Sequence, residues 1–313
     1  MMVRACCLAG IVAVAAVSAY AVGPAGLFVY DGSFPNRIWE ADESIPGVEN
    51  VRITQLGIGS PEFELHEGFF YVSQSTSPTL HKLDPITGAT VSSIALTFPA
   101  GNNVITAMES VGPTLYCGIT TLGGGNGRLA TVDLNTGVVT LVGSALGINS
   151  PLGGLAYDTN TNTMYGINAR WGGNARLYTF NLVTGVATIN STLTPTFQAT
   201  GLEMGLDGVL YALGRSAADD NYLFSIDPTT FTATRLGLMA NLLNATAITS
   251  GIVSQPCPED VDGSGAVDLG DISAVLFNFG QAAPPAQGDV DGSGLVDLAD
   301  LSAILFAFGQ ACP

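Results

Sequence analysis

The sequence predicts an all-β domain built from repeated four-stranded units, followed by a small helical module. Two patterns carry this expectation: a tyrosine-centred segment recurs at spacings of 45, 49 and 46 residues, and an acidic twelve-residue segment occurs twice, 29 residues apart, near the C-terminus. The charge balance narrows the possible functions. With nine Lys and Arg residues against 26 Asp and Glu, the chain lacks the clustered positive charge that binding to nucleic acid requires.

Each unit contains short segments of β-branched and aromatic residues bounded by Gly, Asn, Asp and Pro, which is typical of strands. The first segment recurs as Phe69–Val72, Thr114–Cys117, Thr163–Gly166 and Val209–Ala212, and the second as Leu80–Asp84, Leu129–Asp133, Leu177–Asn181 and Leu223–Asp227. A further apolar stretch precedes each tyrosine, so one unit holds about four strands in roughly 45 residues. That is the period of a β-propeller blade.

A turn follows the second segment of each unit. In three copies an Asp or Asn at its entrance is followed four residues later by Gly, as in Asp84 and Gly88. The side chain accepts backbone hydrogen bonds there, and the glycine adopts a left-handed conformation. The fourth copy has Phe231 in place of the glycine, so we expect it to turn differently.

The number of blades depends on how the two ends of the domain meet. Strand-like segments at Leu27–Tyr30, Arg37–Asp42 and Val51–Gln55 supply the last three strands of a blade. The missing innermost strand can come from Ala245–Val253, because a closed ring avoids exposed strand edges. The sequence therefore predicts a five-bladed β-propeller over residues 22–254. A β-sandwich is the alternative, although it does not explain a repeat of this length.

The first 21 residues resemble a targeting segment. Arg4 precedes an apolar run from Ala5 to Ala19, and Ala19-Tyr20-Ala21 fits a small-x-small cleavage site. We expect a secretory signal peptide over residues 1–21 and a mature protein that is secreted or held at the cell surface, without membrane insertion after cleavage.

Three cysteines remain after the predicted cleavage. Cys257 and Cys312 bracket the C-terminal acidic block, which predicts a disulfide that closes this block into a loop. Cys117 lies in an apolar run and is expected to be a small buried hydrophobic residue.

Candidate catalytic residues in the propeller are few. Glu64, Glu109 and Asp158 each stand seven residues before a repeat tyrosine, whereas the fourth copy has Met204 there and Glu203 one residue away. Paired carboxylates are what glycoside hydrolysis needs. The competing interpretation, which we favour, is that Asp158 starts a turn and that the glutamates are solvated. Trp171 could present an aromatic face to a sugar, which makes carbohydrate a candidate ligand of the propeller.

The C-terminal block carries the most specific motif. Asp260–Asp271 and Asp289–Asp300 are twelve-residue loops with oxygen side chains at positions 1, 3, 5, 9 and 12. Calcium takes six to eight oxygen ligands in flexible geometry, so the pattern predicts two calcium ions. The predicted ligands, which include the position-7 carbonyl of each loop, are Asp260, Asp262, Ser264, Ala266, Asp268 and Asp271, then Asp289, Asp291, Ser293, Leu295, Asp297 and Asp300.

An apolar stripe at helical spacing follows each loop. It comprises Ile272, Val275, Leu276 and Phe279 in the first copy, then Leu301, Ile304, Leu305 and Phe308 in the second. Proline-rich segments precede both loops, so neither has an entering helix. Each unit is therefore predicted to be a calcium loop with an exiting helix.

Two such units in tandem resemble a type I dockerin, and with Cys257 and Cys312 the block is most similar to the C-terminal module of GC-type dockerin domain-anchored proteins. The resemblance covers residues 257–313. It implies calcium binding and docking to a cohesin-like or other surface receptor. The family's hydroxylic residues at positions 10 and 11 are replaced here by Leu269-Gly270 and Leu298-Ala299. The two leucines either pack internally or face a different receptor.

Two functions follow from these expectations. The first is a secreted or cell-surface binding or scaffold protein whose β-propeller (22–254) is attached through a calcium-dependent dockerin-like module (255–313). The second is an extracellular polysaccharide-degrading enzyme, a glycoside hydrolase or lyase, that carries a dockerin. The sequence favours the first, since the candidate acids do not recur as a convincing pair. If the protein is an enzyme, we expect a hydrolase acting on O-glycosyl bonds.

Overall fold

A computed structural model of the chain describes residues 25–310. The gaps within this range are residues 34, 45, 47–49, 55, 57, 59–61, 75–77, 122–124, 144–146, 169–173, 216–219, 252, 254–257, 263, 265, 283–287 and 292. The predicted signal peptide (1–21), Trp171 and the predicted Cys257–Cys312 disulfide lie outside the described residues.

Twenty strands and two helices form in the described part of the chain. The strands are β1 (Leu27–Asp31), β2 (Arg37–Ala41), β3 (Asn50–Thr54), β4 (Phe63–His66), β5 (Phe69–Gln74), β6 (Thr79–Leu83), β7 (Thr90–Ala95), β8 (Val104–Val111), β9 (Thr114–Thr120), β10 (Arg128–Val132), β11 (Val139–Leu141), β12 (Leu152–Asp158), β13 (Thr163–Asn168), β14 (Arg176–Phe180), β15 (Ala187–Thr192), β16 (Gln198–Met204), β17 (Leu210–Arg215), β18 (Asn221–Asp227), β19 (Thr232–Leu238) and β20 (Ala245–Ser250). The helices are α1 (Leu269–Asn278) and α2 (Leu298–Ala307).

The strands form five four-stranded antiparallel sheets. Blade 1 has the order β20-β1-β2-β3, and blades 2 to 5 are β4-β5-β6-β7, β8-β9-β10-β11, β12-β13-β14-β15 and β16-β17-β18-β19. The innermost strands are therefore β20, β4, β8, β12 and β16. Each of them contacts the innermost strand of the next blade, and β20 contacts β4. The five sheets form a closed ring, which confirms the predicted five-bladed β-propeller.

Pairing between the two ends of the domain closes the ring. Strand β20 lies antiparallel to β1, with Phe28 opposite Thr249. The segments assigned from the sequence to the last three strands of blade 1 are β1, β2 and β3, as predicted. A strand from the end of the domain thus completes the blade that the start of the domain cannot complete alone.

The turn between the third and fourth strands has the expected form. Asp84 accepts hydrogen bonds from the N–H groups of Ile86 and Thr87 at 3.0 and 2.7 Å, and Gly88 has a φ of 71°.

The expectation that the fourth copy turns differently is wrong. Phe231 adopts a φ of 59° and its N–H donates to the Asp227 carbonyl at 2.8 Å, as Gly88 does to Asp84 at 2.9 Å. The Asp227 carboxylate also accepts hydrogen bonds from the Thr229 and Thr230 hydroxyls. These bonds stabilise the turn, although a bulky residue occupies the left-handed position.

Apolar clusters fill the spaces between neighbouring blades. Between blades 4 and 5, for example, Phe197 and Phe224 stack with ring centroids 4.2 Å apart, beside the fully buried Leu177. A small residue follows a register shift in three innermost strands, namely Ala107 in β8, Gly154 in β12 and Gly201 in β16. A Cβ added at Gly154 would collide with the backbone of Leu202 on β16.

The two C-terminal helices and the loops before them share a small core of six buried residues: Val267, Val275, Val290, Val296, Ile304 and Ala307. Each helix begins with a capping box, in which the Asp at loop position 9 caps the helix and the Asp at position 12 bonds back to it. Backbone hydrogen bonds connect the two repeats in both directions. Gly280 donates to Val296 and Gly309 donates to Val267, both at 2.8 Å.

We expect Gly154→Ala to destabilise the propeller by about 1–3 kcal/mol, because the added methyl group forces the β12 and β16 backbones apart. Urea unfolding followed by near-ultraviolet circular dichroism measures the change. Val183→Ala is the control, since Val183 is 83% exposed in a turn and its truncation should leave the midpoint within about 0.5 kcal/mol. Equal midpoints for the two variants would contradict the close approach of the innermost strands.

Candidate functional site

Three glutamates converge inside the ring of innermost strands. Glu64 lies on β4, Glu109 on β8 and Glu203 on β16, in blades 2, 3 and 5. One carboxylate oxygen of each lies within 4.8 Å of the others. All three side chains are buried, with exposures of 2–4%. The expectation that the glutamates are solvated is therefore wrong.

Strand register explains why the sequence count placed only two of these residues together. Each glutamate lies opposite the repeat tyrosine of the next strand, in the pairs Glu64–Tyr71, Glu109–Tyr116 and Glu203–Tyr211. In blade 4 the residue opposite Tyr165 is Ala156, and Asp158 lies opposite Thr163. The first hairpins of blades 4 and 5 are longer, so a fixed count of seven residues selects the wrong position there.

Asp158 takes the structural role that the sequence analysis favoured. Its carboxylate accepts hydrogen bonds from the N–H of Asn160 at 2.9 Å and from the Thr161 hydroxyl at 2.7 Å. These bonds lower the pKa of Asp158 and hold the turn after β12. The side chain is not part of the carboxylate cluster.

Hydrogen bonds between blades orient the glutamates. The N–H of Ser110 donates to Glu64 at 3.2 Å, and the N–H of Tyr157 donates to Glu109. In both cases the donor is the residue directly after the position on the next innermost strand that is equivalent to the position of the accepting glutamate.

The same pattern continues around blade 1. The N–H of Leu65 donates to the Thr249 hydroxyl at 3.0 Å, and the Ser250 hydroxyl donates to Glu203 at 3.0 Å. The five innermost strands thus place one equivalent residue each around the centre. Three of these residues are the glutamates, and the other two are Thr249 on β20 and Ala156 on β12.

Burial changes the acidity of this cluster. Loss of water raises the pKa of Glu64 to about 8, although hydrogen bonds from Thr249 and Ser110 oppose the shift. Burial also raises the pKa of Glu109 and Glu203 well above the usual range, and repulsion from neighbouring carboxylates adds to it. The Oε2 atom of each glutamate is buried and has no hydrogen-bond partner among the described residues.

A cavity of about 440 Å³ adjoins the three carboxylates. Asp158 and Asp207 also line it, so five acidic residues surround one cavity. Among the described residues that line this cavity there is no Lys, Arg or His. The field inside the cavity therefore favours cations.

A larger cavity of about 680 Å³ is lined by strands and turns of blades 2 and 3. Its lining includes Tyr71, Lys82 and Asp133. The Lys82 ammonium lies 3.7 Å from the centroid of the Phe69 ring, which is a cation–π contact. The lining of this cavity thus combines aromatic, acidic and basic groups.

The C-terminal loops gather carboxylates at positions 1, 3 and 12. In the first loop, ligand atoms of Asp260, Asp262 and Asp271 lie within 4.8 Å of one another, and in the second loop so do those of Asp289, Asp291 and Asp300. The Ser264 and Ser293 hydroxyls donate to the Ala266 and Leu295 carbonyls at 3.1 Å, beside these clusters.

The position-9 carboxylates do not join the clusters. Asp268 accepts a hydrogen bond from the N–H of Gly270 at 2.6 Å, and Asp297 accepts one from the N–H of Ala299 at 2.7 Å. Both residues cap helices in this structure. The spacing of three residues between Asp268 and Asp271, and between Asp297 and Asp300, is the sequence signal that could have found this capping role.

Large apolar side chains of both helices are exposed. Leu269 and Leu298 are 69% and 67% exposed, and Phe277 and Phe306 are 83% and 91% exposed. Only part of each predicted apolar stripe faces the small core, since Val275 and Ile304 are buried while Leu276 and Leu305 are half exposed. Cys117 in β9 is buried, as expected, and its thiol is free.

Comparison with known proteins assigns this chain to no family. No protein-family model matches the sequence, and no curated protein matches it. Among the described residues, no helix has both the length and the apolar character needed to span a membrane.

Solved structures with some similarity to this chain include a chain of the nidogen/laminin complex (14% identity, 74% of this chain and 83% of that chain, TM-score 0.45), the Dos1 propeller (16%, 68% and 55%, 0.38) and the hydrazine synthase of Kuenenia stuttgartiensis (12%, 55% and 47%, 0.38). This chain spans about half the length of that hydrazine synthase chain. The β-propeller assignment therefore rests on the strand topology.

The carboxylate cluster predicts a specific dependence of stability on pH. Below pH 4.5, the ordinary pKa of glutamate, the carboxyls are protonated in the folded and the unfolded protein alike. Above this pH they lose their protons in the unfolded protein, whereas Glu64 in the folded protein keeps its proton up to about pH 8. Stability is therefore lost as the pH rises through this window, by about 1.4 kcal/mol per unit of pKa shift.

With chelator present, the thermal midpoint of the wild-type protein should fall relative to that of Glu64→Gln between pH 5 and pH 8.5. The difference between the two proteins is the readout, because His66, whose pKa burial lowers, contributes equally to both. Parallel curves would contradict the raised pKa.

Proposed function

We propose that this protein is a secreted or cell-surface binding protein, in which a five-bladed propeller is attached to an extracellular surface through a calcium-dependent, dockerin-like C-terminal module. The observation that carries the proposal is the pair of loop–helix repeats, each with an acidic cluster and an exposed apolar face. The β-propeller supplies a rigid platform with cavities of its own.

The donor set of each loop fits calcium. Two hard carboxylates come from positions 1 and 3, a third comes from position 12, and a hydroxyl and a carbonyl lie beside them. Like charges packed this closely repel one another unless a cation lies between them. Calcium bound there would order the loop and fix the start of the helix.

The position-12 residues link the loops to the helices. Asp271 accepts hydrogen bonds from the N–H groups of Asp262 and Asp268, at 3.1 and 2.8 Å, and is fully buried. Asp300 accepts equivalent bonds from Asp291 and Asp297. A cation held by positions 1, 3 and 12 therefore stabilises the helix that presents the apolar face.

The exposed helix residues favour a protein receptor. The sequence left open whether Leu269 and Leu298 pack internally or face a receptor, and their exposure favours the second interpretation. Exposed Phe277 and Phe306 repeat this apolar character in both copies. Apolar surface of this kind on a secreted protein is typical of an interaction site. A cohesin-like or other surface receptor with an apolar face suits it, and carbohydrate at the propeller remains a candidate ligand.

The glycoside hydrolase alternative has one specific observation in its favour: Glu64 has a pKa near 8 and adjoins a cavity, as a general acid requires. However, hydrolysis uses two carboxyl groups on either side of a bond, about 5–9 Å apart. One of the two must also be ionised, whereas burial raises the pKa of all three glutamates here, so none of them is kept ionised as a nucleophile or base. We therefore retain the non-catalytic proposal.

Retention on the cell envelope tests the attachment proposal. Full-length protein added to envelope fractions, or to a panel of immobilised cohesins, should be retained in calcium and released by chelator. The double variants Asp262→Asn/Asp291→Asn and Phe277→Ser/Phe306→Ser should each lose at least tenfold in retention, the first because the loops lose a ligand and the second because the apolar face is removed.

Two variants control for charge and for exposed apolar surface. Glu259→Gln removes one acid just before the first loop, and Val183→Ser removes an exposed apolar side chain from the propeller. Both should be retained like the wild-type protein. The attachment proposal would be contradicted if chelator did not release the protein and both double variants were retained like the wild-type protein.

A reducing-sugar assay on mixed plant and algal glycans separates the two functions. We expect no release by wild-type protein or by the Glu64→Gln, Glu109→Gln and Asp158→Asn variants, because the raised pKa values of the three glutamates leave no ionised nucleophile beside a protonated acid. Release by wild-type protein that is abolished by Glu64→Gln or Glu109→Gln would establish the hydrolase instead.

A further inference from the structure

The proposed attachment function leaves the buried carboxylate cluster of the propeller without a role. Glu64, Glu109 and Glu203 place three acids from three different blades in one buried space. Buried charges are normally paired or coordinate a metal. Here each carboxylate has one hydrogen-bonded oxygen and one buried oxygen without a hydrogen-bond partner among the described residues.

We propose that Glu64, Glu109 and Glu203 bind a divalent cation of the calcium class inside the ring of innermost strands. The unpartnered Oε2 atoms supply ligands that no hydrogen bond already occupies. Calcium–oxygen distances of about 2.3–2.6 Å allow two ligands of one ion to lie up to roughly 5 Å apart. The observed limit of 4.8 Å between the carboxylate oxygens satisfies this condition.

The surroundings provide access and further ligands. The adjoining cavity is large enough for several water molecules, which can complete the six to eight oxygens that calcium takes. Asp158 and Asp207 at the cavity wall add negative charge along the approach. Ser250 and Ser110 hold Glu203 and Glu64 in place, so the ligands are positioned before the cation arrives.

The site would connect separate parts of the ring. Its ligands come from blades 2, 3 and 5, and blade 1 lies between blades 5 and 2 with its innermost strand β20 contacting β4 and β16. A cation held from both sides of blade 1 stabilises the blade that contains both ends of the domain. A cation that binds only the folded state raises the unfolding midpoint, and the stabilisation grows with the logarithm of the cation concentration once that concentration exceeds the dissociation constant.

Terbium luminescence separates this site from the C-terminal loops. Residues 255–313 contain no Tyr or Trp, whereas Tyr157 lines the cavity of the propeller and Tyr71, Tyr116 and Tyr211 lie opposite the three glutamates. Tyrosine-sensitised terbium emission from the full-length protein therefore reports on the propeller alone. We expect emission that calcium displaces, and we expect the Asp262→Asn/Asp291→Asn variant to keep it.

Glu109→Gln and Glu203→Gln should each reduce the apparent terbium affinity at least tenfold. Both variants should fold, because burial raises the pKa of Glu109 and Glu203 and glutamine has nearly the shape of a protonated glutamate. Glu67→Gln is the matched control, since it makes the same charge change on an exposed turn beside β4 and should leave the affinity unchanged.

Calcium should also raise the thermal midpoint of the wild-type propeller, followed by near-ultraviolet circular dichroism, and should do so much less in Glu109→Gln. Emission that persists in a Glu109→Gln/Glu203→Gln double variant would overturn the proposal. Absence of both emission and a calcium-dependent midpoint in the wild-type protein would also overturn it, and would indicate that protons alone neutralise the cluster.

Discussion

Ring closure through the β20–β1 pair is the constraint on which the rest of this structure depends. Without it, blade 1 would lack its innermost strand, and both β1 and the flank of β4 would be exposed. The pairing places Thr249 and Ser250 beside the innermost strands of blades 2 and 5, where they bond to Leu65, Glu64 and Glu203. The order of the carboxylate cluster is thus a consequence of how the chain ends meet.

The cluster illustrates how a repeat fold can concentrate charge. The same register position of every innermost strand lies at the centre of the ring. A glutamate at this position in three blades therefore brings three acidic side chains close together. In a fold without rotational repetition these residues, which are 45 and 94 positions apart in sequence, would have no reason to meet. The free energy of burying them is offset only if protons or a cation neutralise the charge.

The C-terminal module follows the opposite arrangement. Its acids are local, since each loop assembles its own cluster within twelve residues, and its core of small aliphatic side chains is limited. Reciprocal backbone bonds between the repeats supplement this core. Large apolar residues remain outside it, as Phe277 and Phe306 show. The module therefore leaves much of its apolar surface exposed instead of burying it.

The sequence by itself determined the elements whose signals are local or periodic. The blade repeat, the closure of blade 1, the Asp84-type turns and the buried Cys117 follow from strand composition, repeat length and turn chemistry. The tertiary structure alone decided the features that depend on register across blades. Longer hairpins in blades 4 and 5 moved Asp158 out of the cluster and brought Glu203 into it, because strand pairing rather than residue count sets which side chain faces the centre. Burial of the glutamates likewise follows from five strands meeting at one axis, which no single segment of the sequence encodes.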